Sequence, residues 1–206
     1  GPEQLGYISY ATAFIGLFCS FAALGLKSIV PLEIVRNPSA KEEILGSSFL
    51  LFLCTGLIAT AITIFSIQII QPENKVLQTI VFILVLRTFF QAFDCIELYF
   101  HSQVKAKNIV IIQSTAFIIT CSLKWILIIY YKGTILVFAL ILLADHVFVA
   151  VGLVIMYNLV GHNILNWRFN IHRAKSLLCD SWPIIFGTIF SVINMEIDKI
   201  LIAAFS

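Results

Sequence analysis

The stretch LGSSFLLFLCTGLIATAITIFSIQII, residues 45–70, contains no charged side chain. Apolar runs of about 20 residues match the thickness of the hydrocarbon core of a bilayer. Strands of a membrane barrel would alternate apolar and polar residues over about ten positions, and this stretch does not. The stretch therefore predicts a transmembrane helix.

Apolar stretches of similar length recur along the whole chain. Only 12% of the 206 residues are charged and 60% are hydrophobic, with a mean hydropathy of +1.01. Soluble domains have about a quarter charged residues, so an ordinary globular enzyme, a nucleic-acid-binding module and a disordered chain are excluded. The sequence predicts an all-α integral membrane protein with about six spans, roughly at residues 7–30, 45–70, 76–100, 108–130, 135–160 and 182–205.

Basic residues lie mainly in alternate connectors. Loops 31–44, 101–107 and 161–180 carry seven Lys and Arg residues, whereas the other connectors carry only Lys75 and Lys132. Because cytoplasmic loops are enriched in Lys and Arg, these three loops are predicted to be cytoplasmic. The mixed apolar and basic composition of 161–180 fits an amphipathic helix over about 170–180 at anionic headgroups, and it fits an ordinary solvated loop equally well. Trp182 and Pro183 are predicted to open the next helix.

Nine charged residues fall inside the predicted spans. Charges in hydrocarbon are costly, so they are expected to face a bundle interior or an aqueous cavity. The nine are Lys27, Arg87, Asp94, Glu97, Lys124, Asp145, Glu196, Asp198 and Lys199.

Helical spacing groups the polar residues into faces. In the first span, small residues at helical spacing share one face, and a face of small residues is expected to let neighbouring helices approach closely. The faces are Arg87, Gln91, Asp94 and His101 in the third span; Gln113, Thr120 and Lys124 in the fourth; and Ser9, Ala13, Gly16, Ser20, Ala23 and Lys27 in the first.

Two interpretations of the buried charges stay open. In one, Arg87 pairs with Asp145, or Lys124 with Glu196, and the ion pairs fix helix packing. In the other, Arg87 and Lys124 belong to a cationic cavity for an anionic substrate, since guanidinium suits phosphate. Lys27 either joins that cavity or extends to the headgroups. Asp94 and Glu97 form either a packing cluster with His101 and Lys105 or a gate near the cytoplasmic end.

Several other chemistries lack their sequence patterns. The four His residues form no metal-ligand motif, and no phosphate-binding glycine loop or nucleophile elbow occurs. We therefore expect a transporter rather than an enzyme, with no metal, no cofactor and no nucleic-acid partner.

Three segments resemble bacterial polysaccharide flippases of the O-antigen and capsule type, which belong to the multidrug/oligosaccharidyl-lipid/polysaccharide exporter superfamily. The first is the opening GPEQLGYISY with the later Gly25-Leu26-Lys27 and Glu33-Ile34-Val35-Arg36. The second is Glu97-Leu98-Tyr99-Phe100 with Gln103-Val104-Lys105. The third is Asp180-Ser181-Trp182-Pro183 with Ile197-Asp198. The resemblance covers essentially the whole chain.

The resemblance implies that the chain is part of a longer protein, supplying helices two to seven of a two-lobed transporter with 12–14 helices. It implies a location in the bacterial inner membrane. The implied activity is transfer of an undecaprenyl-pyrophosphate-linked oligosaccharide from the cytoplasmic to the outer leaflet by alternating access. Membrane lipids and polysaccharide polymerase machinery are the other implied partners.

The resemblance also implies roles for the intramembrane charges. Arg87 and Lys124, with Lys27 and Lys199, would neutralise the pyrophosphate or acidic sugars. Asp145, Glu196 and Asp198 would partner these cations or couple the cycle to H⁺ or Na⁺. The alternatives are a drug/cation antiporter of the same superfamily, a non-catalytic membrane subunit of glycolipid synthesis, and a packing fragment without transport activity.

Overall fold

The computed structural model describes residues 2–23, 25–131 and 135–184, with residues 187 and 190. Nine α-helices lie in these described ranges, joined by short loops and by 3-10 turns at Pro38–Ala40, Gln91–Phe93 and Ile164–Asn166. They are α1 Pro2–Ala23, α2 Leu26–Arg36, α3 Lys41–Ile70, α4 Lys75–Val85, α5 Arg87–Phe90, α6 Asp94–Ser102, α7 Ala106–Tyr131, α8 Ile135–Leu159 and α9 171–184.

Four segments of the described chain are long and apolar enough to cross a membrane: Pro38–Ile70, Lys75–Ser102, Ala106–Leu127 and Ile135–Leu159. On α3, side chains such as Leu57, Ile58, Phe65 and Ile69 are exposed on the outer surface of the bundle. An apolar surface of this extent suits lipid and does not suit water. The protein is an all-α membrane protein, as the composition predicted.

The predicted first span, 7–30, is not one helix. Helix α1 ends at Ala23 and α2 begins at Leu26, because Gly25 adopts a left-handed backbone conformation with φ 64°. A Cβ at this position would also lie 3.1 Å from the Ser181 carbonyl oxygen on α9. Glycine therefore suits this position for two reasons: it adopts the left-handed backbone conformation without strain, and it has no Cβ to contact the Ser181 carbonyl.

The predicted third span, 76–100, is interrupted and runs through α4, α5 and α6. No Pro or Gly occurs in this segment. At the interruption between α4 and α5, the Thr88 hydroxyl donates to the Val85 carbonyl at 2.8 Å and the Phe89 amide donates three residues back, to Leu86, at 3.2 Å. Hydrogen bonds between residues three apart wind the helix more tightly than α-helical bonds do. The same bonding pattern recurs in the 3-10 turn Gln91–Phe93.

The segment after α8 also differs from the prediction. Asn170 ends the loop and caps α9, since its side-chain oxygen accepts from the His172 amide at 3.0 Å. Helix α9 then runs from 171 to 184 without a stop, so Trp182 and Pro183 lie inside a helix and do not open one. Most of the predicted span 182–205 lies outside the described residues.

Two apolar cores form at opposite ends of the bundle. The first core lies at the end that holds the loops near residues 37–41, 103–105 and 160–170, and includes Phe52, Tyr99 and Tyr157. The second core includes Ile15, Ile80 and Leu84, near the α3–α4 loop. Along the third span, Val85 belongs to the second core and Ala92 to the first, so residues 87–91 lie between the two.

Two glycines of α3 lie against the backbone of neighbouring segments, while on the predicted small-residue face of α1 Ala13 is buried and α1 packs on α3 and α4. A Cβ at Gly46 would lie 2.6 Å from the Arg168 carbonyl oxygen, and one at Gly56 would lie 3.1 Å from that of Thr88. A Cβ at Gly16 would meet no described atom within 4 Å. Spacing alone placed the small residues on one face of α1, but it carried no information on which neighbour that face meets.

Candidate functional site

A cavity of about 890 Å³ lies between the two cores, and its walls come from α1, α2, α5, α6, α7 and α8. The third-span residues that line it run from Arg87 to Asp94. Its polar lining consists of Lys27, Arg87, Gln91, Asp94, Gln113, Ser114, Asp145 and His146. Four of the nine predicted intramembrane charges are thus brought together around one space.

Arg87 is the first residue of α5, directly after the interruption of the third span at Leu86. Its guanidinium lines the cavity together with Cys19 of α1. Among the described residues no carboxylate lies within salt-bridge distance of Arg87, and the predicted pair with Asp145 does not form. Arg87 therefore presents a charged, planar donor group to the cavity without an acidic partner in the described part of the chain.

Lys27 is paired. Its ammonium lies 3.0 Å from the Asp94 carboxylate, and the two side chains are 52% and 24% exposed. Asp94 is the first residue of α6 and Lys27 the second of α2, so the ion pair joins the two helices immediately after their preceding breaks. Neither side chain is buried enough for the pair to be locked.

Asp145, on α8, is held by a neutral donor. The Thr120 hydroxyl of α7 donates to its carboxylate at 3.0 Å. No cation of the described residues forms a salt bridge with Asp145. The cavity thus contains one ion pair, one cation and one carboxylate whose charges are not directly compensated by described neighbours.

Two predicted residues lie outside the cavity lining. The Lys124 ammonium sits 5.7 Å from the centre of the Phe138 ring, because it lies one turn beyond Thr120 and turns toward the start of α8. Glu97 accepts from Gln113 at 3.4 Å and lies 3.6 Å from His101, so it borders the cavity only through Gln113. Lys199, Glu196 and Asp198, with the predicted Lys124–Glu196 pair, fall outside the described residues.

Within the described ranges, no group of three or more His, Cys, Asp and Glu side chains is arranged to hold a metal ion. The chemistry that this lining offers is electrostatic and hydrogen bonding. Guanidinium, ammonium and amide groups bind anions and hydroxyl groups, while the carboxylates accept protons or cations.

A family model described as polysaccharide biosynthesis protein matches residues 1–206. The chain belongs to this family. The match covers all the residues on which the resemblance to polysaccharide flippases was based, and it confirms that resemblance. No curated protein and no solved structure gives a match to the chain. Because four segments of the described chain are long and apolar enough to cross a membrane, this polysaccharide biosynthesis protein is a membrane protein.

The cavity of this polysaccharide biosynthesis protein contains residues that were not among the sequence candidates. They are Cys19, Ser114 and His146, with the apolar residues Phe90, Phe117, Ile118, Val149, Ala150 and Leu153. Ser114 directly follows Gln113, and His146 directly follows Asp145. The sequence signal available for both was therefore a pair of adjacent polar residues within an apolar span.

Proposed function

We propose that this protein moves an oligosaccharide linked to a lipid pyrophosphate from the cytoplasmic to the outer leaflet by alternating access. The observation that carries the proposal is Arg87, a guanidinium in a membrane-level cavity with no acidic partner among the described residues. Arginine donates two parallel hydrogen bonds to phosphate oxygens, which makes it the expected anchor for a pyrophosphate.

The remaining lining supports the carbohydrate part of the cargo. Gln91, Gln113, Ser114 and His146 provide donors and acceptors for sugar hydroxyl groups, beside the aromatic rings of Phe90 and Phe117. A volume of about 890 Å³ is near the upper end of typical ligand sites. The lipid tail of such a cargo would stay in the bilayer and would not need space in the cavity.

Asp145 supports a role in coupling the cycle to H⁺ or Na⁺. Its carboxylate faces the cavity and has a hydroxyl neighbour, Thr120, instead of a described cation. The same observation favours a second candidate, an antiporter that carries a cationic compound. The two functions differ in which residue binds the cargo, Arg87 in the flippase and Asp145 in the antiporter.

The test is export of surface polysaccharide in cells that carry the Arg87→Gln variant of the intact protein. A hydrogen bond to a charged group contributes about 1.5–3 kcal/mol, so its loss should reduce the export rate roughly 10- to 100-fold. Lipid-linked precursor should accumulate in the cytoplasmic leaflet. Export is measured by immunoassay of surface polysaccharide. The leaflet that holds the precursor is determined from its accessibility to an impermeant glycosidase.

Lys124→Gln is the matched control, because it removes an intramembrane cation outside the cavity lining, and its export should stay within about twofold of wild type. Export by Arg87→Gln at the wild-type rate would refute the anionic cargo. Loss of export only in Asp145→Asn, together with sensitivity to cationic drugs, would favour the antiporter. Absence of precursor in every variant would favour a subunit of glycolipid synthesis.

A further inference from the structure

The two cations that the described residues bring to the cavity, Arg87 and Lys27, are in different states. Arg87 has no acidic partner in the described chain, whereas Lys27 is 3.0 Å from Asp94. Both cations line the same space, and so does Asp94. An anion that enters this space meets one cation that is available at once and a second that a carboxylate already holds.

The ion pair is weak enough for a ligand to break. With 52% and 24% of the two side chains exposed, solvent screens the attraction between ammonium and carboxylate. A pyrophosphate bears more charge and more acceptor oxygens than one carboxylate, and its bonds to ammonium are charge-assisted. A pyrophosphate anchored on Arg87 would therefore compete with Asp94 for Lys27 at high effective concentration.

Breaking this pair would also affect the helices that carry it. Lys27 follows the left-handed Gly25, and Asp94 follows the 3-10 turn Gln91–Phe93 of the third span. Helices α2 and α6 pack on each other through the first core. In this core, Leu26, which precedes Lys27, and Cys95, which follows Asp94, are both buried. The pair is thus placed where two backbone breaks meet at the cavity wall.

We propose that Asp94 is a built-in competitor for Lys27, which the anionic group of the cargo displaces. The cargo binds Arg87 first and then takes the Lys27 ammonium from Asp94, which frees the start of α2 from the start of α6. Asp94 positions Lys27 and lowers the affinity of the empty cavity for anions, so that the cargo can leave. This inference rests on the proposed function and adds the regulation of its site.

Binding of geranyl pyrophosphate to the purified intact protein tests the competition. Asp94→Asn frees Lys27 and should tighten binding by about tenfold. Asp145→Asn is the matched control, since it removes the same charge from the same cavity but leaves the Lys27 pair intact. It should tighten binding by no more than about threefold. Adding Lys27→Gln to Asp94→Asn should abolish the tenfold gain.

The outcomes separate this inference from the proposed function. Equal gains in Asp94→Asn and Asp145→Asn would refute the competition and leave the anionic cargo standing. Wild-type affinity in Arg87→Gln would overturn the proposed function instead. No binding to wild type or to Asp94→Asn at millimolar probe would overturn both.

A second measurement needs no substitution and so does not depend on the folding of a variant. A water-soluble carbodiimide condenses a contacting amine and carboxylate into an amide, with its own conversion to a urea. In the wild-type protein it should join Lys27 to Asp94, as detected by peptide mass spectrometry. Geranyl pyrophosphate should reduce this cross-link at least fivefold, and a yield unchanged by the probe would contradict the displacement.

Discussion

The imidazole of His162 connects three segments at the end of the bundle predicted to be cytoplasmic. Its Nε2 lies 2.8 Å from the Tyr99 hydroxyl and its Nδ1 lies 3.3 Å from the Lys41 ammonium. An ammonium has no acceptor capacity, so Nδ1 must accept from Lys41, and the proton sits on Nε2. This neutral form is the one that the surroundings favour. Burial lowers the pKa of His162 below its ordinary value, and the nearby Lys41 and Lys105 charges act in the same direction.

The lowered pKa gives the stability of the protein a defined pH dependence. Between that lowered pKa and the unfolded value of about 6.5, the unfolded chain binds more protons than the folded one. The contribution of His162 is therefore complete above about pH 6.5 and is lost as the pH falls through the folded pKa. Thermal unfolding of the purified protein between about pH 8 and pH 5 should show this decline. His162→Gln should flatten it, and His172→Gln, at an exposed site, should not. Equal slopes in wild type and His162→Gln would contradict the prediction.

At the scale of helices and loops, the loop before α9 is joined to the start of α3 by several hydrogen bonds, two of which are made by the buried side chain of Ser47. The buried Ser47 hydroxyl accepts from the Asn170 amide at 3.1 Å and donates to its carbonyl at 3.2 Å. The Asn170 side chain also donates to Glu43 at 3.0 Å. Ser47→Ala leaves the Asn170 backbone without this partner, which should reduce the free energy of unfolding by about 1–3 kcal/mol.

Ser48→Ala is a matched control for Ser47→Ala. Ser48 is the next residue and is equally buried, but its hydroxyl donates only to Ile44 in its own helix, at 2.7 Å. Its loss should therefore cost less than half as much. Limited proteolysis of the purified protein provides the local readout, with faster cleavage between 161 and 170 expected in Ser47→Ala alone. Equal protease resistance in the two variants would show that Ser47 does not hold the loop.

The helices that could be predicted from sequence are those whose apolar runs are continuous, and the breaks could not be placed. Residues 45–70 carry no charge, and α3 covers all of them. The interruption at Leu86 has no Pro or Gly to announce it. The Thr88 hydroxyl beside it lies 2.8 Å from the Thr60 hydroxyl of α3, a contact between distant residues that the sequence does not reveal. The cavity residues likewise divide into those that the sequence could predict and those that it could not. Helical spacing placed Arg87, Gln91 and Asp94 on one face, but the rotation that turns Lys124 away from it is set by packing against α8.

At the scale of the whole molecule, the described chain places the three basic loops at one end of the bundle and the loop at residues 71–74 at the other. The Arg168 amide donates to the Glu42 carbonyl at 3.3 Å, and Tyr99 reaches His162, so the three basic loops meet at one end. Residues 71–74, between α3 and α4, lie at the other end, where Asn74 caps α4. The connections within the bundle therefore require that all three basic loops share one side of the membrane.

The positive-inside bias predicts that this shared side is the cytoplasm. An epitope inserted after Glu73 of the intact protein should be accessible to antibody in whole spheroplasts. The same epitope inserted after Lys105 should become accessible only once the membrane is permeabilised. These insertions interrupt the bond from the Lys75 amide to Glu73 and the first-turn bond from the Asn108 amide to Lys105. Exposed loop positions tolerate insertion, so both proteins should fold. The reverse pattern would place Lys27 and Asp94 toward the outer leaflet, and the ion pair would then face departing cargo instead of arriving cargo. Accessibility of both epitopes in intact spheroplasts would contradict the arrangement of α3 and α4 as an antiparallel pair across the bilayer.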